Sequence, residues 1–150
     1  MQVRMRRHMR LVQDIMKRRR PVVAHPDETA QAAAARMTEH TCGSILVCDG
    51  DRLCGIFTER DLMTRVVGQG LDPKTTRLEQ VMTHDPAWIE STATAREALW
   101  RMDEFGYRHL PVVEDGQPLG VISMRDLPVE MVARTLPELE QRRVLAERMW

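Results

Sequence analysis

The feature that most constrains this chain is that it carries one motif twice. Shifted by 65 positions, residues 21–62 fall on residues 86–127 without a gap, and 12 of the 42 paired positions are identical. TAQAAAARMTE (29–39) pairs with TAREALWRMDE (94–104), and GIFTERDL (55–62) pairs with GVISMRDL (120–127). A unit of this length buries too little apolar surface alone, so the economical solution is two copies packed on each other.

Each copy reads as β-α-β-β-α. A short extended piece (22–25 and 87–90) runs into a Thr-rich or Asp-containing helix start, where side-chain oxygens can take up free amides. In the helices, Ala30, Ala33, Ala34 and Met37, and likewise Ala95, Ala98, Leu99 and Met102, fall at i, i+3, i+4, i+7. Strands SILVCD and LCGIF, then HLPVVED and LGVIS, join through Asp49-Gly50-Asp51 and Asp115-Gly116 turns. A second helix carries Leu62, Met63, Val66 and Val67, paired with Leu127, Pro128, Met131 and Val132, with Pro128 in its first turn. Pro137 is expected to open a further helix. The predicted organisation is a basic lead-in (1–20), copies at 10–70 and 78–135, a linker with a lead-in helix (71–80) and a C-terminal helix (136–150). The fold class is α/β (α+β), with the two copies packed sheet to sheet.

Composition excludes several functions. Hydrophobic residues make up 43% and charged residues 29%, ordinary for a globular domain. No run approaches the roughly 20 apolar residues of a spanning helix, and MQVRMRRHMRLVQ lacks the apolar stretch of a signal peptide, so a cytoplasmic protein without a membrane partner is expected. Cys42, Cys48 and Cys54 fit neither a disulfide framework nor a paired zinc motif and read as free thiols. His8, His25, His40, His84 and His109 show no ligand spacing, so no metal is expected. No nucleophile–base arrangement is legible, which points away from an enzyme. Net charge is zero, yet residues 1–20 hold eight Lys or Arg against Asp14. That end could contact nucleic acid or an acidic surface, but with no aromatic interleaved among the arginines as in single-strand binders it reads better as the solvated face of a leading helix or as a partner for the acidic body of a second subunit.

The residues with most chemical promise are Thr58 and Asp61 in GIFTERD and Ser123 and Asp126 in GVISMRD. A hydroxyl and a carboxylate three apart at a helix start can form a capping box, which explains both by helix geometry. They can equally meet a ligand: free amides and a hydroxyl suit phosphate, and a carboxylate accepts from ribose hydroxyls. The repeated Gly-apolar-apolar strand and the flanking Arg60 and Arg125 are not needed by a cap.

With these doubled motifs the chain resembles a tandem of CBS domains, a stand-alone Bateman module, over about residues 10–135. The resemblance implies a non-enzymatic sensor with no required cofactor. It further implies that the copies pair about a pseudo-two-fold axis and leave two clefts for a regulatory adenosine ligand such as AMP, ATP, S-adenosylmethionine or a nicotinamide dinucleotide. It places Thr58 and Ser123 at phosphate, and Asp61 and Asp126 at ribose. Arg108 and Arg125 would serve the Asp61 cleft, while Arg60 and Gly43 would serve the Asp126 cleft. The first cleft would then hold phosphorylated ligands more tightly. Val22, Val23 and Ala24, with Ala87, Trp88 and Ile89, would surround adenine. A homodimer and an effector protein are the implied partners. The alternative is a dimeric adaptor that binds nucleic acid or an acidic partner through residues 1–20.

Overall fold

The computed structural model describes residues 10–17 and 20–149. The first sheet is ordered β1 (Val23–Ala24), β2 (Ser44–Asp49), β3 (Arg52–Thr58) and β4 (Thr83–His84), and the second β5 (Ile89–Glu90), β6 (His109–Glu114) and β7 (Gln117–Ser123). In both, the short leading strand lies parallel to its neighbour and the next two strands form an antiparallel hairpin. The duplication extends to an irregularity. Each hairpin bulges at the same point, between Val47 and Cys48 and between Val112 and Val113.

Helices α1 (Val12–Ile15), α2 (Ala30–Glu39), α3 (Glu59–Asp61), α4 (Leu78–Val81), α5 (Ala95–Phe105) and α6 (Val129–Arg148) complete the described chain. None is long and apolar enough to cross a membrane. The threonines before α2 and α5 behave as the sequence demands. The Thr29 hydroxyl accepts from the Ala32 amide at 3.1 Å and the Thr94 hydroxyl from the Glu97 amide at 3.2 Å.

Side-chain alternation on β2 explains why the copies meet sheet to sheet. Ile45 and Val47 join Ala30, Ala33, Met37 and Phe57 in a core beneath the helices. Leu46 and Cys48 point the other way and form a second, smaller cluster with Ile56, on which Val121 of the second copy packs. Burial pushes the Cys48 thiol up to about 11, with a smaller push from Cys54, and all three cysteines are free.

The lead-in segments cross over. α1 precedes the first copy in sequence but packs on the second, where Val12 and Met16 are buried with Ile89, Leu99 and Leu110. The Val12 amide donates to the Ala93 carbonyl at 2.8 Å, and the Ala95 amide donates to the Arg10 carbonyl at 2.8 Å. Conversely α4, which precedes the second copy, packs on the first: Leu78, Val81 and Met82 lie in the core of Phe57, and the Leu78 amide donates to the Glu28 carbonyl at 2.9 Å. Gly55 is required by this crossing, because a Cβ there would lie 2.4 Å from the Met82 sulfur and 2.9 Å from the Thr83 carbonyl oxygen.

The second helices of the copies differ from each other and from the sequence expectation. In copy one, α3 continues as a π turn (Leu62–Val66) and a 3-10 turn (Val67–Gln69), closed by Gly70 at φ +69°. In copy two a 3-10 turn (Met124–Asp126) is broken at Leu127 and Pro128, and α6 then starts at Val129. The ring of Pro128 keeps Leu127 out of helical geometry, at ψ 140°, so the proline stands just before the helix rather than in its first turn. Nor does Pro137 open a helix of its own: α6 runs through it. Tertiary contacts on both sides hold that turn in place of the missing amide bond. Met131, Val132 and Leu139 pack on the second core, and Arg96–Glu138 (2.7 Å) and Arg143–Asp103 (2.5 Å) tie α5 to α6.

Because the copies exchange lead-ins, Leu78→Ala should destabilise the whole chain, by about 2–5 kcal/mol. Tryptophan fluorescence reports Trp88, Trp100 and Trp150, none in the first copy, whereas far-ultraviolet circular dichroism reports everything. The two urea curves should coincide and shift together; a separate shift of one signal would contradict the exchange.

Candidate ligand-binding clefts between the copies

The two motif turns fold as capping boxes and still present their polar groups to cavities. The Thr58 hydroxyl accepts from the Asp61 amide at 3.3 Å, and the Asp61 carboxylate accepts from the Thr58 amide at 2.9 Å and the Thr58 hydroxyl at 3.0 Å. The Asp126 carboxylate accepts from the Ser123 amide at 2.9 Å. Helix geometry therefore explains why the residues stand three apart. It leaves room for a second role, since a carboxylate has acceptor capacity beyond two donors. The second oxygen of Asp61 faces the Arg65 guanidinium at 3.5 Å.

Each turn forms one wall of a cleft whose other wall comes from the opposite copy. The first cleft, about 550 Å³, joins Thr58, Arg60 and Asp61 to the stretch 105–109 ahead of β6. The second, about 460 Å³, joins Ser123, Arg125 and Asp126 to the stretch 41–44 ahead of β2 and to Lys17, Arg20, Pro21 and Val22. Both volumes fall in the size range of small-molecule sites. Glu59, Arg108 and His109 line both clefts and form a shared partition. Backbone bonds place it symmetrically: the Glu59 amide donates to the Gly43 carbonyl at 3.0 Å, and at the equivalent point the Met124 amide donates to the Arg108 carbonyl at 2.9 Å.

Thr58, Asp61 and Arg108 converge as the resemblance implies, as do Ser123, Asp126 and Gly43. Two arginines exchange places relative to expectation: Arg60 lines the cleft of its own Asp61, and Arg125 that of its own Asp126. Each belongs to a tight turn whose carboxylate faces a cleft, so its side chain stays on that side. The charge inventory is thereby reversed. Lys17, Arg20, Arg108 and Arg125 line the second cleft, whereas the first has Arg60, Arg108 and an Arg65 occupied by Asp61 and the Val81 carbonyl.

Val23, Ala24, Trp88 and Ile89 line neither cleft. Ala24 and Ile89 are buried in the two main cores. The backbone carbonyls of Val23 and Trp88 accept from Arg36 and Arg101, the same helix position in each copy. Of the first-strand stretch, Val22 alone reaches a cleft. The sequence reading had not singled out Met63, Phe105, Tyr107, Lys17 or Arg20 as lining residues. The signal for Phe105 and Tyr107 was their place on either side of Gly106 just before Arg108; for Lys17 and Arg20 it was the basic run itself.

His109 in the partition is half-buried, and burial holds it below the ordinary imidazole value. The Arg125 and Arg108 cations act in the same direction, against the pull of Glu59 and Asp126. The unfolded chain therefore takes this proton first as pH falls. Its contribution to stability is complete above about pH 6.5 and is lost as pH drops towards the lower folded value. Melting curves between about pH 7.5 and about pH 5.5 should fall less for His109→Asn than for the unaltered chain; equal slopes would place the acid sensitivity elsewhere.

Comparison with known proteins settles the family. The family model for the CBS domain matches residues 12–68 and again 78–130. The chain belongs to the CBS-domain family. CBS domain-containing protein CBSCBSPB2 of Arabidopsis thaliana is 35% identical over 123 residues, covering 79% of this chain and 23% of that protein, so the chain spans about a quarter of its length. The crystal structure of Hypoxic Response Protein I, which holds two coordinated zinc ions, aligns with a TM-score of 0.67 at 31% identity over 78% of this chain and 95% of that one. A CBS domain protein from Pyrobaculum aerophilum complexed with AMP aligns with a TM-score of 0.74 at 24% identity over 83% and 97%, a likeness that bears on the fold. Among the described residues of this CBS pair, no group of three His, Cys, Asp or Glu side chains is placed to hold a metal ion.

Proposed function

We propose that this CBS pair is a non-enzymatic, cytoplasmic regulatory module that binds an adenosine-containing nucleotide between its copies and passes the change in shape to an effector protein. The observation that carries the reading is the convergence of Thr58, Asp61 and Arg108 on one cavity: a hydroxyl and a cation suited to phosphate beside a carboxylate suited to ribose. The second cleft repeats it with Ser123, Asp126 and Arg108. No cofactor is needed for such a role. The adaptor reading loses support because Lys17 and Arg20, part of the basic segment, line a cleft.

The test is a thermal-shift panel of AMP, ATP, S-adenosylmethionine and NAD, with Zn²⁺ as a separate arm. A ligand at about 100 times its dissociation constant should add about 2.7 kcal/mol of stability, and the combined Asp61→Ala and Asp126→Ala variant should lose the effect. A shift with Zn²⁺ alone, or with none of the nucleotides, would overturn the reading.

We also propose a homodimer. Met63 is 61% exposed, Val67 64% and Val129 82%, more apolar surface at the motif helices than a solitary module would present to water. Light scattering at micromolar concentration should give twice the chain mass; a monomer would remove this claim.

A further inference from the structure

We infer that the two clefts take ligands of different charge: the Asp126 cleft a nucleoside di- or triphosphate, and the Asp61 cleft an adenosine compound with at most one phosphate. The inference rests on the nucleotide reading above and assigns a ligand class to each site.

Its basis is the segment that closes the second cleft. Met16 is anchored in the core of the second copy, whereas the Val22 carbonyl accepts from the Leu46 amide of the first at 2.9 Å. Met16 and Val22 are thus anchored on different copies, and the strap residues Lys17, Arg20 and Pro21 between them line the cavity. The exchange of α1 between the copies is what puts these cations at the rim. Both side chains are exposed, and among the described residues no hydrogen bond or ion pair engages them. With Arg108 and Arg125, four cations face Glu59 and Asp126 there. A ligand whose negative charge extends beyond its first phosphate can meet the strap cations while the Ser123 turn holds the proximal end.

The matching strap at the first cleft, which runs from α4 through β4 to β5, contributes Thr83 and no cation. The cleft's additional wall is apolar. Phe105 and Tyr107 stack with centroids 5.7 Å apart and planes 23° apart, and an exposed Met63 lines the same cleft. Among the described residues, no aromatic ring apart from that of His109 lines the second cleft. Stacking surface without extra cations favours a base over a long phosphate chain.

Calorimetry separates the sites. Asp61→Ala isolates the Asp126 cleft and Asp126→Ala the Asp61 cleft, with the Asn variants, which keep an acceptor for the cap, in reserve should either Ala protein fail to fold. The Asp61→Ala protein should bind ATP about tenfold or more tightly than AMP, and adding Lys17→Ala with Arg20→Ala should abolish most of that preference. The Asp126→Ala protein should show no ATP preference. A preference that survives loss of both strap cations, or one that they control in the Asp126→Ala protein, overturns the inference. Tripolyphosphate supplies the independent arm. If no adenosine compound binds but tripolyphosphate does, dependent on Lys17 and Arg20, the nucleotide reading fails and the anion site stands; if neither binds, both fall.

Discussion

The architecture depends on central strands that have no face to offer to water. Ile45 and Val47 project beneath the helices of their own copy, and Leu46 and Cys48 project away from them. A strand apolar on both sides has to be covered twice. The helices supply one cover and the other copy supplies the second. From this follow the sheet-to-sheet contact, the pseudo-two-fold arrangement and the position of the clefts, which open where the two hairpins diverge from the contact around Ile56 and Val121.

The clefts are consequently neighbours as well as copies. Arg108, His109 and Glu59 form a wall with a cavity on either side, and one guanidinium cannot neutralise two phosphates as well as one. Duplication provided the plan, and substitution made its halves unequal. Where the second copy has Arg108 and His109, the first has Gly43 and Ser44; a Cβ on Gly43 would meet the Glu59 carboxylate at 3.0 Å and His109 at 3.4 Å. The space an arginine would need on that side is taken by the partition.

Much of this was legible in the sequence because it is local or repeated. The 65-residue shift revealed two units, alternation located the hairpins, and the caps at Thr29 and Thr94 fall where their hydroxyls are required. Thr58, Asp61, Ser123 and Asp126 could be singled out since cap chemistry and site chemistry call for the same residues. What was not legible depends on which copy a segment chooses. Four residues of α1 show no preference between cores, and so neither the crossing nor the place of Lys17 could be read. The misplacement of Arg60 and Arg125 has a similar origin: order along the chain does not say towards which cleft a side chain leaves a tight turn. One signal was available and unused. Arg36 and Arg101 are identical in the two copies, and each donates to the carbonyl of a first-strand residue, Val23 or Trp88, that lines neither cleft.

The crossing of the lead-ins also orders the birth of the molecule on the ribosome. The first copy can complete its core once residue 82 has emerged, when Leu78, Val81 and Met82 become available. Val12 and Met16, made before every strand of either sheet, find their places only after Leu110 and Ile122 have followed. Contacts so distant along the chain are slow to close. The nascent chain thus passes through a stage with one finished half and the apolar residues of α1 still awaiting their site, and the second cleft acquires its strap only when α1 docks.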